Sequence, residues 1–307
     1  MQSLRSKIAI WLIRNRHLFS FKLRPEVVDE SFSVENFRKS IDRASARVKL
    51  PKSIATQSVS IEGMNGEWII PQNPIPNKVL LYIHGGGFIS GSCLTHRMHV
   101  AKFANGCGIK SVVFDYRLAP EHPFPAAVDD CVTAYQWLLG QGYKPTDIAI
   151  GGESAGATLT LSLLLALKQK GIALPNSAFS ISPVTDLRCE AQSFKYNAKH
   201  DVAPMGSWTV WTGMYISDAD PKNPLLSPQF GDFTGIPPLY ICVGTHEIHY
   251  DDCVNIAEVA KRYGADVTLR EWDRMIHAFP LLSPLFPEAQ KALNEICEFV
   301  RSKVANS

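Results

Sequence analysis

The 307-residue sequence has almost no net charge, because 31 Lys and Arg residues stand against 29 Asp and Glu residues and leave +2 at pH 7. Such a small charge gives no field that would attract a nucleic acid. No region interleaves basic side chains with aromatic ones as single-strand binding proteins do. We therefore expect no nucleic-acid partner.

The sequence also lacks cysteine pairs of the C-x-x-C type. Its seven cysteines are odd in number and widely scattered, which argues against a zinc site, a redox motif or a disulfide framework. They are Cys93, Cys107, Cys131, Cys189, Cys242, Cys253 and Cys297. Buried, reduced thiols fit this pattern, so the sequence predicts a cytoplasmic protein without a bound metal ion.

A long apolar segment is missing from the N-terminal region. The run Ile8–Ile13 is too short for a secretory signal and for crossing a bilayer. From Met1 to Arg24 there are six Lys and Arg residues and no acidic residue. We favour a helix packed against its own protein, and a basic amphipathic helix on a membrane surface is the less favoured alternative. The oligomeric state stays open, a dimer included.

Hydrophobic residues make up 46% of the sequence, enough to fill the core of one large domain. Near-continuous apolar runs predict buried strands at Val79–Ile83, Ser111–Tyr116, Ile148–Ile150, Ala178–Ile181, Leu239–Val243 and Val267–Trp272. Helical patterns alternate with them at His96–Gly106, Ala126–Leu139, Ala155–Lys170, Asp252–Tyr263 and Pro287–Lys303. This alternation predicts an α/β fold with a mostly parallel central sheet and helices on both faces. Residues 56–71, around Asn65-Gly66, predict an antiparallel hairpin in front of it.

Two segments break the alternation of strand and helix. Residues 1–50 look helical and charged, and residues from about 186 to 225 are rich in Trp, Tyr and Pro without strand periodicity. Ligands of α/β sheets bind beyond the carboxyl ends of the strands, where helical insertions form a roof. We therefore expect a helical cap, formed by residues 1–50 and an insertion at about 186–225, on a catalytic domain of residues 51–307.

A G-x-S-x-G motif, Gly152–Gly156, follows the predicted strand Ile148–Ile150 and precedes an apolar helix. Its glycines permit the tight strand-to-helix turn that presents a nucleophilic serine, here Ser154. The competing interpretation is that Ser154 only caps the helix. The strand and helix on either side favour the nucleophile.

The glycine run that follows Val79–Ile83 reads H-G-G-G-F and starts at His84. Successive glycines let backbone N–H groups converge on the oxyanion of an acyl-transfer reaction. We predict Gly86 and Gly87 as donors, together with the N–H of Ala155. His84 and Gly85 are expected to support the loop.

A serine nucleophile needs a histidine base and a carboxylate that orients it. Of the nine histidines, His277 is our choice, because it follows the last predicted strand and so fits the chain order serine, acid, histidine. The acid should follow Leu239–Val243. There Glu247 is preferred and Asp251 is the alternative, and chain order alone does not separate them.

The chain resembles the bacterial hormone-sensitive lipase family of esterases, also called family IV. The motifs that carry this resemblance are His84–Phe88, the string Asp115–Ala127, the elbow Gly152–Gly156, Ser182-Pro183 with Asp186-Leu187, and His277–Phe279. The resemblance implies an α/β-hydrolase fold with a helical cap, short- to medium-chain acyl esters as small-molecule substrates, and no cofactor. Family members carry the acid in a motif similar to D-P-L-x-D, in which the catalytic first position matches Glu247.

These features together predict a serine carboxylesterase that forms an acyl-enzyme on Ser154. An amidase or peptidase with the same residues is one alternative, and a non-catalytic ligand-binding member of the fold is another. The string Asp115–Ala127 contains Arg117, Glu121 and His122. Its prolines and its arginine, which we expect to pair with a carboxylate, favour a scaffold for the glycine loop over a catalytic role.

Overall fold

The computed structural model describes residues 2–19, 27–29, 31–204 and 206–304, and a single β-sheet lies at its centre. The strands in chain order are β1 Ile54–Ile61, β2 Met64–Pro71, β3 Val79–Ile83, β4 Lys110–Phe114, β5 Ile148–Glu153, β6 Ser177–Ile181, β7 Leu239–Gly244 and β8 Val267–Trp272. Their spatial order is β1-β2-β4-β3-β5-β6-β7-β8. The strands from β3 to β8 are mutually parallel, and β1 and β2 are antiparallel.

Helices pack on both faces of this sheet. The helices of the described residues are α1 Leu4–Arg14, α2 Arg16–Phe19, α3 Val34–Ser45, α4 Cys93–Cys107, α5 Ala126–Gly140, α6 Ala155–Gln169, α7 Ser193–Tyr196, α8 Ser207–Ile216, α9 Tyr250–Arg262 and α10 Pro287–Val304. One core, which includes Leu81 and Ile150, lies between the sheet and α5, α6 and α9. The other, which includes Leu80 and Tyr82, lies under α4 and α10. The predicted α/β fold is confirmed.

The hairpin of β1 and β2 is present, but its turn is not where the sequence places it. The chain reverses at Glu62-Gly63, whose φ angles of 49° and 91° fit a two-residue turn that needs left-handed backbone at both positions. Asn65-Gly66 lies inside β2 instead. A Cβ on Gly66 would come within 2.9 Å of Ile61 Cδ1, so this glycine serves close packing rather than a turn.

The prediction of a buried strand at Val267–Trp272 is half right. The segment forms β8 with these bounds, but none of its residues is buried. The reason is its place in the sheet, since among the described strands β8 pairs with β7 alone and forms an edge. Strand order, which a local apolar pattern does not reveal, decides this exposure.

The two segments that break the alternation meet above the loops at the carboxyl ends of the strands. Trp211 of α8 stacks on Phe37 of α3 at 5.8 Å between ring centroids. Arg38 of α3 donates to the carbonyl oxygens of Ile89 and Ala119, which lie in loops after β3 and β4. These contacts are those expected of a cap, and the division into cap and catalytic domain stays a prediction. Residues 1, 20–26, 30 and 205 of the predicted cap and 305–307 of the predicted catalytic domain lie outside the described residues.

None of the helices in the described ranges is long and apolar enough to cross a bilayer. All seven cysteines are free thiols in the structure, and six of them are buried. The cores on both faces of the sheet are built from apolar side chains and include these buried thiols.

Candidate active site

Ser154 lies at a sharp turn between β5 and α6. Its backbone is left-handed, with φ 58° and ψ −127°, and its N–H donates to Ile181 O at 2.8 Å. Two glycines make room for the turn, since a Cβ on Gly152 or Gly156 would lie 2.2 or 2.1 Å from Ile83 O. The Ser154 side chain makes no capping hydrogen bond to α6, contrary to the competing interpretation. The turn instead directs the hydroxyl to the neighbouring histidine.

His277 lies in the loop after β8, next to this hydroxyl. Its Nε2 is 2.9 Å from Ser154 Oγ, although 123 positions separate the two residues in the chain. The N–H of the following residue, Ala278, donates to Ser182 Oγ at 3.1 Å, which holds the loop against the end of β6. The structure therefore brings together the serine and the histidine that the sequence singles out.

Of the two carboxylates left open by chain order, Glu247 contacts the histidine. Its Oε2 is 3.1 Å from His277 Nδ1, and its Oε1 accepts from Gly244 N at 2.5 Å. Asp251 turns toward α7, where it accepts from Ser193 N at 2.8 Å and from the Tyr196 hydroxyl at 2.6 Å. The geometry thus favours Glu247 over Asp251 as the partner of the imidazole.

Burial and charge act against each other in this pair. Burial lowers the pKa of His277, but the hydrogen bond and negative charge of Glu247 outweigh it and raise the pKa above the ordinary 6.5. Burial also raises the pKa of Glu247, and the His277 hydrogen bond offsets part of this effect. With Glu247 ionised, His277 Nδ1 carries the proton and Nε2 is left as the acceptor that faces Ser154.

The glycine loop after β3 approaches the serine from the other side. Gly86 and Gly87 have positive φ angles of 122° and 64°. Neither donates its amide N–H to an acceptor in the described part of the chain, and Ala155, as the first residue of α6, has no intrahelical acceptor for its own. A Cβ on Gly87 would lie 2.5 Å from the Trp211 ring, so this glycine also lets the cap pack on the loop.

A buried polar cluster supports the glycine loop from behind, and its centre is Glu153. The carboxylate accepts from Gly85 N at 2.7 Å, lies 2.9 Å from His96 Nε2, and accepts from the Tyr82 hydroxyl. Burial raises the pKa of Glu153, but its interaction with His96 and the hydrogen bonds from His96 and the Tyr82 hydroxyl lower it below the ordinary value. Neither Glu153 nor His96 is among the site residues predicted from the sequence, although Glu153 stands inside the elbow motif.

His84 belongs to the same cluster and is stacked between other rings. Its ring centroid lies 4.2 Å from that of Tyr116 and 5.1 Å from that of His96. Burial, followed by the nearby charge of His96, lowers its pKa to about 4, so the imidazole is neutral near pH 7. The Tyr116 hydroxyl donates to His84 O at 2.8 Å. These contacts fit the supporting part that the sequence predicts for His84.

The string Asp115–Ala127 makes structural ion pairs. Arg117 binds Asp130 of α5 through its side chain, at 2.7 Å for the shortest contact, and through its backbone N–H. Glu121 pairs with Arg38 at 2.8 Å. These two ion pairs fasten α5 and α3 to the loop, which agrees with the predicted scaffold.

Aromatic rings of the cap and of the acid loop surround His277. Trp208 of α8 lies 5.9 Å from the His277 ring and 4.2 Å from the His249 ring. Burial, together with the charge of His277, holds the pKa of His249 well below 6.5, so His249 is neutral. Trp208 also lines a cavity of about 240 Å³ in the cap, together with Phe194, Ser207 and Ile248. Within the described ranges, no cluster of three or more His, Cys, Asp or Glu residues is arranged to hold a metal ion.

Known proteins resemble this chain in sequence and in fold. A family profile described as alpha/beta hydrolase fold matches residues 80–281. An acetyl-hydrolase of Streptomyces hygroscopicus is 37% identical over 245 residues, which cover 80% of this chain and 82% of that protein. An esterase of Acinetobacter venetianus is 37% identical over 253 residues, which cover 81% of this chain and 83% of that protein. The crystal structure of an esterase from the bacterial hormone-sensitive lipase family superposes with a TM-score of 0.90 at 34% identity, over 99% of both chains.

The chain belongs to the α/β-hydrolase family and, within it, to the hormone-sensitive lipase group of esterases. It is a carboxylic ester hydrolase. The resemblance carried by the motifs and the predicted class of enzyme are both confirmed.

Proposed function

We propose that this carboxylic ester hydrolase forms an acyl-enzyme on Ser154, with His277 as general base and Glu247 as the carboxylate that orients it. The observation that carries the proposal is a continuous series of contacts: Ser154 Oγ lies 2.9 Å from His277 Nε2, and His277 Nδ1 lies 3.1 Å from Glu247 Oε2. Both distances suit proton transfer or a charge-assisted hydrogen bond. A hydroxyl becomes a useful nucleophile in such a series, because the base removes its proton as it attacks.

In the acylation step, Ser154 Oγ bonds to the ester carbonyl carbon while its proton moves to His277 Nε2. The carbonyl π electrons move to the oxygen and form an oxyanion. When the oxyanion collapses, the bond to the alcohol oxygen breaks and His277 returns the proton to the leaving alcohol. Water then repeats the sequence on the acyl-enzyme, and the products are a carboxylic acid and free Ser154.

The oxyanion would be bound by the amide N–H groups of Gly86, Gly87 and Ala155. In the described structure the two glycine amides have no protein acceptor and Ala155 is the first residue of α6, so these donors are available without breaking another bond. A donor aimed at an oxyanion lowers the barrier by about 3 kcal/mol. Glu153 holds Gly85, one residue before the first donor, in place.

We further propose that short acyl groups are preferred. The cavity of about 240 Å³ beside Trp208 is smaller than the cavities that hold drug-sized ligands, which measure roughly 300–1,000 Å³. Trp208 lines this cavity, and its ring lies 5.9 Å from the ring of His277. An acyl chain that extends from Ser154 toward the cavity would therefore have to displace that indole ring once it is long.

The central test is removal of the nucleophile. Ser154→Ala should lower kcat on p-nitrophenyl butyrate by about 10⁶-fold, the loss measured for the corresponding serine of a serine protease. Mass spectrometry of rapidly quenched wild-type enzyme should find the butyryl group on the peptide that contains Ser154. Ser162→Ala, which changes another buried serine of α6 that bonds only to backbone, is the matched control. Hydrolysis by Ser154→Ala at a rate near that of the wild type would refute the acyl-enzyme on Ser154.

Two further measurements refine the substrate class. A matched butyryl anilide should react far more slowly than the p-nitrophenyl ester, and comparable rates would instead indicate an amidase. In a series of acyl esters from acetyl to dodecanoyl, kcat/KM should fall toward the longer chains. Trp208→Ala should shift the optimum to longer acyl groups if its indole limits their length.

A further inference from the structure

Helix α1 has an inward face that attaches it to the rest of the protein. Ser6 and Ile10 are buried, and Ala9 and Ile13 pack against the core under α10. Glu288 of α10 accepts from the hydroxyls of Ser3 and Ser6 at 2.8 and 3.1 Å. The favoured prediction, a helix packed against its own protein, therefore describes this face of α1.

The outward face of α1 is also apolar. Leu4, Ile8, Trp11 and Leu12 are 73%, 53%, 56% and 41% exposed. Consecutive residues of an α-helix are about 100° apart around its axis, so the spacing of these four places them on one side of α1. Leu18 and Phe19 of α2 continue the exposed apolar surface. Contiguous apolar patches of this kind mark contact sites, because they gain free energy when they are removed from water.

Cations border this surface on both flanks. Arg5 and Lys7 are exposed and lie on opposite sides of the outward face, and Arg16 follows in α2. The sequence from Met1 to Arg24 has no carboxylate that would neutralise them. A second copy of the chain would present the same cations and repel them. An anionic phospholipid surface offers both complements, acyl chains for the apolar side chains and negative headgroups for the cations.

From these observations we propose that the outward face of α1 and α2 binds anionic phospholipid membranes. Trp11 stands in the middle of the face, and an indole is suited to the boundary between headgroups and acyl chains. The two helices are also fastened to the cap insertion, since Arg16 donates to Val202 O at 2.9 Å and Arg14 donates to Lys199 O. Docking would therefore bring the cap close to the bilayer.

The test is co-sedimentation of the full chain with vesicles of equal parts phosphatidylcholine and phosphatidylglycerol. Wild-type protein should sediment with these vesicles, and much less with phosphatidylcholine alone or at high salt. The double variant Ile8→Gln/Trp11→Gln should bind at least about tenfold more weakly, because it removes two large apolar contacts. In Arg5→Gln/Lys7→Gln, each lost cation should weaken binding by about fivefold, which corresponds to about 1 kcal/mol.

Phe230→Gln/Tyr263→Gln is the matched control. It changes two exposed aromatic residues that line one groove, and Tyr263 follows α9 on the other face of the sheet. This control should bind vesicles like the wild type, and every variant should keep its activity on soluble p-nitrophenyl butyrate. The proposal fails if wild-type protein ignores the anionic vesicles, or if Ile8→Gln/Trp11→Gln binds them equally well. It also fails if light scattering shows a wild-type dimer that this variant converts to a monomer, because the face would then belong to a second copy.

Discussion

Replacement of Glu247 by glutamine tests how the buried carboxylate acts on His277. The change keeps the size of the side chain and removes its charge. Gly244 N donates to Glu247 Oε1 at 2.5 Å, so the carbonyl oxygen of glutamine should take that position. The amide NH₂ would then face His277 Nδ1, which lies 3.1 Å from Oε2 in the wild type. A donor at that place stabilises the tautomer with its proton on Nε2, and this tautomer cannot accept the proton of Ser154.

The loss expected from the wrong tautomer is about 10⁴-fold in kcat, as measured for the aspartate-to-asparagine change in a serine protease. It corresponds to about 5.4 kcal/mol of barrier. A second effect concerns the pH profile. Because the charge of Glu247 raises the pKa of His277, its removal should move the acidic limb of the residual kcat/KM to lower pH.

The stability of Glu247→Gln separates a catalytic loss from a folding defect. Burial raises the pKa of Glu247 above its ordinary 4.5, so ionisation of this carboxyl disfavours the folded state. This cost is absent at a pH below the pKa that Glu247 has in the unfolded chain, and it is complete once the pH exceeds its pKa in the folded protein. The amide of glutamine does not ionise, so the variant has no such cost. The variant should therefore unfold at a temperature equal to or above that of the wild type at neutral pH.

The assay is kcat/KM on p-nitrophenyl butyrate between about pH 5 and pH 9, the range in which a histidine titrates, together with thermal unfolding of each variant. Asp251→Asn is the matched control, because Asp251 bonds to Ser193 and Tyr196 rather than to His277. It should leave the position of the acidic limb unchanged. If Asp251→Asn lost as much activity as Glu247→Gln, or if Glu247→Gln kept nearly full activity, the assignment of Glu247 would be wrong.

Two further predictions concern the glycine loop. In Gly86→Ala, the new Cβ would lie 2.2 Å from Ser90 O, on a backbone with φ 122°. The amide N–H donors of the loop should shift, so kcat should fall by about 10²–10³-fold with little change in KM. The control Gly108→Ala should keep its kcat, because its Cβ would meet no atom within 4 Å. Glu153→Gln should lower kcat more than the control Glu67→Gln, since the amide cannot accept from both Gly85 and Tyr82. The lowered pKa of Glu153 contributes stability above the ordinary value of 4.5, so the unfolding temperatures of wild type and Glu153→Gln should converge as the pH falls below it.

The elbow and the glycine loop could be predicted from sequence because their geometry depends on local backbone strain. Ser154 has φ 58° and Gly86 has φ 122°, and both conformations require small neighbours or glycine at fixed positions. The parallel strands were predictable for a related reason, since burial on both faces leaves an apolar run in the sequence. These features leave their signal within a few residues of the chain.

Features that depend on distant partners were harder to predict. The exposure of β8 follows from its place at the edge of the sheet, and the turn at Glu62-Gly63 follows from the register of β1 with β2. The Asn65-Gly66 pair was the stronger local turn signal. The sheet nevertheless places Gly66 opposite Val59 and Phe114, where it has to be small. Tertiary pairing thus overrides the local preference.

The acid loop shows the same limit inside the site. Glu247 and Asp251 lie four positions apart in the chain, and chain order suits both. Their orientation is set by the cap segment, some 50 positions earlier in the chain. Asn197 donates to Glu247 O at 2.8 Å and Asp201 accepts from Ile248 N at 2.6 Å, while the N–H of Ser193 binds Asp251. The cap segment thus binds the carboxylate of Asp251 and leaves that of Glu247 facing His277. A motif restricted to residues 244–252 cannot contain that information, so the position of the carboxylate depends on how the cap folds.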